Sequence, residues 1–173
     1  LEENGEDVTL SWEPWDTDDP PSAQQTDRED HFLAGVHFAT QLVMSLLSKQ
    51  TMQNLELYRC PDAVCQAAFS AVRHRKELTK IILSSGDPEL LFPEVPEYSH
   101  RCCVSLASLI NDSAVVEEVR IDAGIAETSY RALEDALAAK LDTMRCLSIR
   151  KLISFDTRFL HRIADCMKQS HAL

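Results

Sequence analysis

The cysteines and histidines are the first residues whose type and spacing could carry chemistry. Cys60 and Cys65 are separated by four residues, His100 stands two before Cys102 and Cys103 follows, and His161 and Cys166 come further on. Thiolates and imidazoles grouped this way can hold zinc, but structural zinc sites favour close cysteine pairs arranged as two knuckles. The spacings here fit that arrangement poorly. Cys65, Cys103 and Cys146 also fall in the apolar phase of helical patterns, where a free thiol behaves as a small buried hydrophobe. The expectation is core cysteines in a reducing compartment, with no metal and no cofactor. A Cys–His nucleophilic pair would have to be assembled in space, and no motif announces one. The carboxylate pairs Glu117–Glu118 and Glu134–Asp135 read as solvated helix faces. The four glycines, Gly5, Gly35, Gly86 and Gly124, are far apart, so a phosphate-binding loop or dinucleotide fingerprint cannot form in its usual shape. The serine-hydrolase elbow and the H-E-x-x-H zinc motif are absent as well. No catalytic residue is expected, and the protein reads as a non-enzyme.

Other residues suit recognition better. Both tryptophans, Trp12 and Trp15, sit in the acidic stretch "LSWEPWD", where two large rings suggest an anchor that docks in a groove. Arg73, Arg75 and Lys76, with His74 between them, form the one basic cluster, suited to receiving an acidic segment, the chain's own tail included.

Charge divides the chain. The net charge is −11. Residues 1–30 carry eleven acidic residues against one basic residue, Arg28, while residues 31–173 carry seventeen against sixteen. The organisation expected is an acidic Trp/Pro-containing tail or docking segment over 1–30 and a helical repeat domain over 31–173. The body lacks the basic stripe that a phosphate backbone requires, so no nucleic acid is expected. No apolar run is long enough for a membrane span and the first residues do not resemble a signal peptide, so neither a membrane nor an export route is expected. The localisation read from this is intracellular, cytoplasmic or nuclear. The chain starts at Leu1 rather than Met, as a processed protein or an excised fragment would.

The elements that must position these residues read as helices throughout. Apolar residues recur at helical spacing in 31–49. A short helix is expected over 51–60, and another after the break at Pro61 with Asp62 as its N-cap. The pattern continues over 76–86, over 99–111 behind Ser99 as a cap, over 114–122, over 125–142 and in two segments to the end. Taking Cys103 as zero, Leu106, Leu109 and Ile110 recur as Ile149, Leu152 and Ile153 after Cys146, and as Ala68, Ala71 and Val72 after Cys65. Helix pairs stacked at such a period bury faces that one pair alone cannot.

On the pattern "C-x-x-L-x-x-L-I-N-D…V-x-x-V…A-G" of Cys103–Gly124 the chain resembles the armadillo/HEAT class. The resemblance implies an all-α, irregular α-solenoid of three to four helix-hairpin repeats; a compact helical bundle is the alternative. It also implies that 125–141 lines a concave face, which makes Glu127, Arg131 and Glu134 candidates for partner binding beside Trp12, Trp15, Arg73, Arg75 and Lys76. The expected function is a protein-interaction scaffold or adaptor holding a protein or peptide segment, or the acidic tail of its own or a neighbouring chain. The alternatives are a subunit of a larger assembly, an enzyme or a secreted helical ligand.

Overall fold

The computed structural model describes residues 7–12, 25–49, 51–85, 98–125, 129–150, 161 and 164–165. Strands and helices alternate along them: β1 (Asp7–Ser11), α1 (Gln25–Leu47), β2 (Asn54–Tyr58), α2 (Asp62–Val72), β3 (Lys80–Ser84), α3 (His100–Asp112), β4 (Glu118–Asp122), α4 (Tyr130–Ala138) and β5 (Cys146–Arg150). The five strands form one parallel sheet whose spatial order is the chain order. Crossovers between parallel strands are right-handed. When each step also moves to the next position in the same direction, every helix lands on the same face. The burial agrees. Leu55, Leu57, Ile81, Leu83, Val119 and Ile121 point into the core, with Val8 beside them. Their alternate neighbours Thr9, Glu56, Ile82 and Arg120 stay exposed or half-exposed. Side chains alternate across a pleated strand, so one face of the sheet meets the helices and the other, here called the open face, is covered by no described element.

The helices pack side by side, α1 on α2, α2 on α3 and α3 on α4. Small residues permit close approach: Ala67 and Ala68 of α2 and Ala107 of α3 are buried together with Phe69, Leu106, Leu109 and Ile110. Ser99 caps α3 by accepting a hydrogen bond from the Cys102 N–H at 3.4 Å. The Asp62 carboxylate at the start of α2 accepts the Ser99 N–H, 3.0 Å from Oδ2, which ties the starts of two neighbouring helices together.

This architecture corrects the all-α reading. The chain is an α/β fold of stacked strand–helix units, neither an armadillo- or HEAT-like solenoid of helix hairpins nor a compact helical bundle. The helices expected over 51–60, 76–86 and 114–122 contain β2, β3 and β4. Each of β2 to β5 is entered by an apolar residue three positions before its first inward residue: Met52 before Leu55, Leu78 before Ile81, Val116 before Val119 and Met144 before Leu147. Spacings of three and four imitate a helical face. The period of two that marks the strand lasts only five residues. Cys65 and Cys103 do hold comparable places in successive helices, whereas Cys146 opens a strand, so the third match of the supposed repeat fails. The segment expected as one long helix over 125–142 holds the shorter α4. The boundary drawn between residues 30 and 31 lies inside α1, and β1, from the acidic segment, pairs with β2 in the sheet.

Candidate functional site: the open face of the sheet

Parallel register places the outward residues of the five strands in three rows. The first runs Asp7, Asn54, Lys80, Glu118, Cys146, the second Thr9, Glu56, Ile82, Arg120, Ser148, and the third Ser11, Tyr58, Ser84, Asp122, Arg150. Four carboxylates, Asp7, Glu56, Glu118 and Asp122, share this grid with Lys80 and Arg120. Several are bonded to one another. Lys80 Nζ lies 3.4 Å from Glu56 Oε1, and Arg120 Nε lies 2.6 Å from Glu118 Oε1. Thr9 Oγ1 donates to Glu56 Oε2 at 3.5 Å, and the Asn54 amide donates to Asp7. Such pairs on an exposed surface contribute little to stability, but they hold long side chains upright. Tyr58 and Ile82, half-exposed on the central strands, supply an apolar spot between them. An aromatic ring and an arginine beside an aliphatic centre are the residue types that dominate binding at protein interfaces.

The residues chosen from sequence lie elsewhere. Arg73 bonds to Asp112 at the end of α3. Arg75 Nη2 donates to the Leu47 carbonyl at the end of α1, at 2.8 Å. Lys140 Nζ does the same for the Ser113 carbonyl after α3, at 2.7 Å. A cation that follows one helix thus caps the negative C-terminal end of another. Lys76 and Arg131 are exposed, and Glu134 is buried in α4. Trp12 continues β1, donates its N–H to the Tyr58 carbonyl at 3.0 Å, and lays its ring on α1. There it meets Phe32 edge to face, with centroids 6.3 Å apart, and the space above Gly35. Trp15 and Glu127 lie outside the described residues. None of the described sequence candidates is one of the outward residues of the five strands.

The thiols form a separate, enclosed group between β2, α2 and α3. Cys60, Cys65, Cys102 and Cys103 are buried and free. Cys60 Sγ donates to the Leu10 carbonyl at 3.4 Å, linking the β2–α2 turn to β1, and Cys65 Sγ donates to the Cys60 carbonyl at 3.5 Å. The Cys65 thiol also meets Cys102 and the hydroxyl of Tyr98. Hydrogen bonding to the Cys65 thiol and burial push Cys60 well above the usual thiol range, and bonding to Cys102 with burial does the same to Cys65. Burial raises Cys103 to about 11 and lifts the Tyr98 hydroxyl too. Neutral thiols are poor nucleophiles and poor metal ligands. Among the described residues no group of three or more His, Cys, Asp or Glu is arranged to hold a metal ion, and no helix is long and apolar enough to cross a membrane.

No protein-family model and no curated protein matches the chain. The signal for the open face was nevertheless present in the residues. Met52-x-x-Leu55-x-Leu57-x-x-Cys60 recurs as Leu78-x-x-Ile81-x-Leu83, as Val116-x-x-Val119-x-Ile121-x-x-Gly124 and as Met144-x-x-Leu147-x-Ile149. Side chains alternate along a strand, so the residues between the apolar positions are the ones that face outward.

Proposed function

We propose that the protein is a non-enzymatic interaction module that holds a segment of a protein partner on the open face of its parallel sheet. The observation that carries the reading is the grid itself: fifteen outward positions on five strands in register, with Tyr58, Ile82 and Arg120 grouped near its middle. The topology supports it. In open α/β sheets small ligands bind where the strand order reverses and leaves a crevice. Here the order runs without reversal from β1 to β5, so the fold offers a surface rather than a cleft. The partner expected is a basic segment with one apolar anchor, because carboxylates outnumber cations on the face and the whole chain carries −11.

The test is affinity capture with the full chain, comparing Tyr58→Ala, Glu56→Lys and the control Lys76→Ala, which lies off the face. Loss of at least ten-fold in recovery of the same partner with the two face variants, and full recovery with the control, is the expected result; truncating a central interface residue costs about 2 kcal/mol or more. Equal recovery with all four proteins would remove the face as the binding surface.

A further inference from the structure

The third row of the open face differs from the other two at its centre, on β3. In the first row Lys80 stands between Asn54 and Glu118, and in the second Ile82 stands between Glu56 and Arg120. Both centres are large side chains. In the third row the centre is Ser84, with Tyr58 beside it on β2 and Asp122 beside it on β4. Ser84 is 7% exposed, whereas Tyr58 and Asp122 are half-buried. The small residue therefore forms a floor, and the two larger ones rise beside it as walls. Ile82, two residues earlier on the same face of β3, borders the slot toward the middle of the sheet. Both charged residues of the second row reach to the first, Glu56 to Lys80 and Arg120 to Glu118, and so turn away from the slot. The backbone behind it is pinned: the Ser85 N–H and hydroxyl both donate to the Asp122 carbonyl, at 2.9 and 3.2 Å.

We propose that the Tyr58–Ser84–Asp122 slot takes an arginine side chain of the partner segment, an inference that rests on the face-binding reading and deepens it. The walls select the ligand. Neighbouring strands are about 4.8 Å apart, so a guanidinium seated over Ser84 has the Tyr58 ring on one side and the Asp122 carboxylate on the other. One strand spacing is inside the roughly 6 Å over which an aromatic face attracts a cation. A planar guanidinium can stack on the ring while its N–H fork meets the carboxylate, whereas a lysine ammonium is a hydrated point charge that gains from the carboxylate alone. The methylenes of the arginine stem lie along Ile82, the apolar border. An acidic side chain would set a like charge against Asp122, and an apolar one would take water from that carboxylate without replacing it.

Peptides selected from a random displayed library on the full wild-type chain supply the probe. Each binder is remade with its arginines changed one at a time to lysine and to citrulline, which keeps the shape of arginine without its charge. The set is titrated against the wild type, Asp122→Asn and Tyr58→Leu. One arginine is expected whose change to citrulline weakens binding to the wild type by about ten-fold or more and barely alters binding to Asp122→Asn. Its change to lysine should weaken binding to the wild type and matter less on Tyr58→Leu, which keeps apolar bulk but lacks the ring. Circular dichroism of both variants should match the wild type, which separates loss of the slot from loss of the fold. Binders that are lost with Glu56→Lys yet need no arginine would overturn the slot and leave the face reading standing. So would an arginine read equally well by the wild type and Asp122→Asn. Binders indifferent to Glu56→Lys, Tyr58→Leu and Asp122→Asn alike, or no binders at all, would remove the face reading and the slot with it.

Discussion

At the scale of single residues the cysteines are the instructive case. Their apolar helical phase predicted core positions for Cys65, Cys103 and Cys146; Cys65 and Cys103 sit in the core at 0–1% exposure, whereas Cys146 is half-buried on β5. What spacing could not show is that Cys60, Cys65 and Cys102 meet, because they come from a turn and two different helices. Reactivity should follow burial. With peptide-level mass spectrometry of native protein treated with iodoacetamide, Cys146, half-buried at the start of β5, is expected to label first. Cys60, Cys65 and Cys103 should label only after unfolding. Equal labelling of Cys103 and Cys146 under native conditions would contradict the enclosed cluster. The same burial makes stability depend on pH. Cys103 is raised from 9.0 to about 11, so as pH climbs past 9 the unfolded chain releases this proton while the native one keeps it. Stability therefore falls between about pH 9 and 11. Cys103→Ala should reduce that fall in urea titrations, whatever it does to stability at neutral pH.

Among elements, the helices were legible and the strands were not. Ser99 caps α3 as its type predicts, and α2 starts just after Pro61, though Pro61 rather than Asp62 takes the N-cap position and no side chain caps that helix. These signals are local, since a cap satisfies N–H groups within its own first turn. Ser99→Ala is expected to cost about 1 kcal/mol in chemical denaturation, and Asp62→Ala a similar amount through the lost acceptor for the Ser99 N–H. If both losses are carried by one joint between α2 and α3, the double variant should cost less than their sum. Strict additivity would mean that the two bonds act separately. The strands carry a recurring apolar pattern, but it does not by itself separate strand from helix. Five residues with two inward apolar positions satisfy a helical pattern nearly as well, and only pairing with neighbours distant in sequence makes them β.

For the whole molecule the consequence is a stack whose units rely on their neighbours. β2, β3 and β4 are hydrogen-bonded on both sides, while β1 and β5 each pair with one described strand. Amide exchange should thus be slowest in Leu55–Leu57, Ile81–Leu83 and Val119–Ile121, and faster in Val8–Leu10. Uniform protection across all five strands would point to a single cooperative unit instead. The acidic N-terminal segment belongs to this stack through β1 and through Trp12 on α1, a role that its composition concealed.

What the residues determined unaided was local: which segments are apolar, where α2 and α3 begin, that Cys65 and Cys103 belong inside, and that no familiar catalytic motif is present. Whether an apolar segment becomes strand or helix, which side chains share the open face, and where the basic residues find their partners were decided only by the tertiary structure. A strand is completed by hydrogen bonds to chain far away in sequence. Arg73 and Arg75 take their partners from α3 and α1, so neither role is written in the segment that carries it.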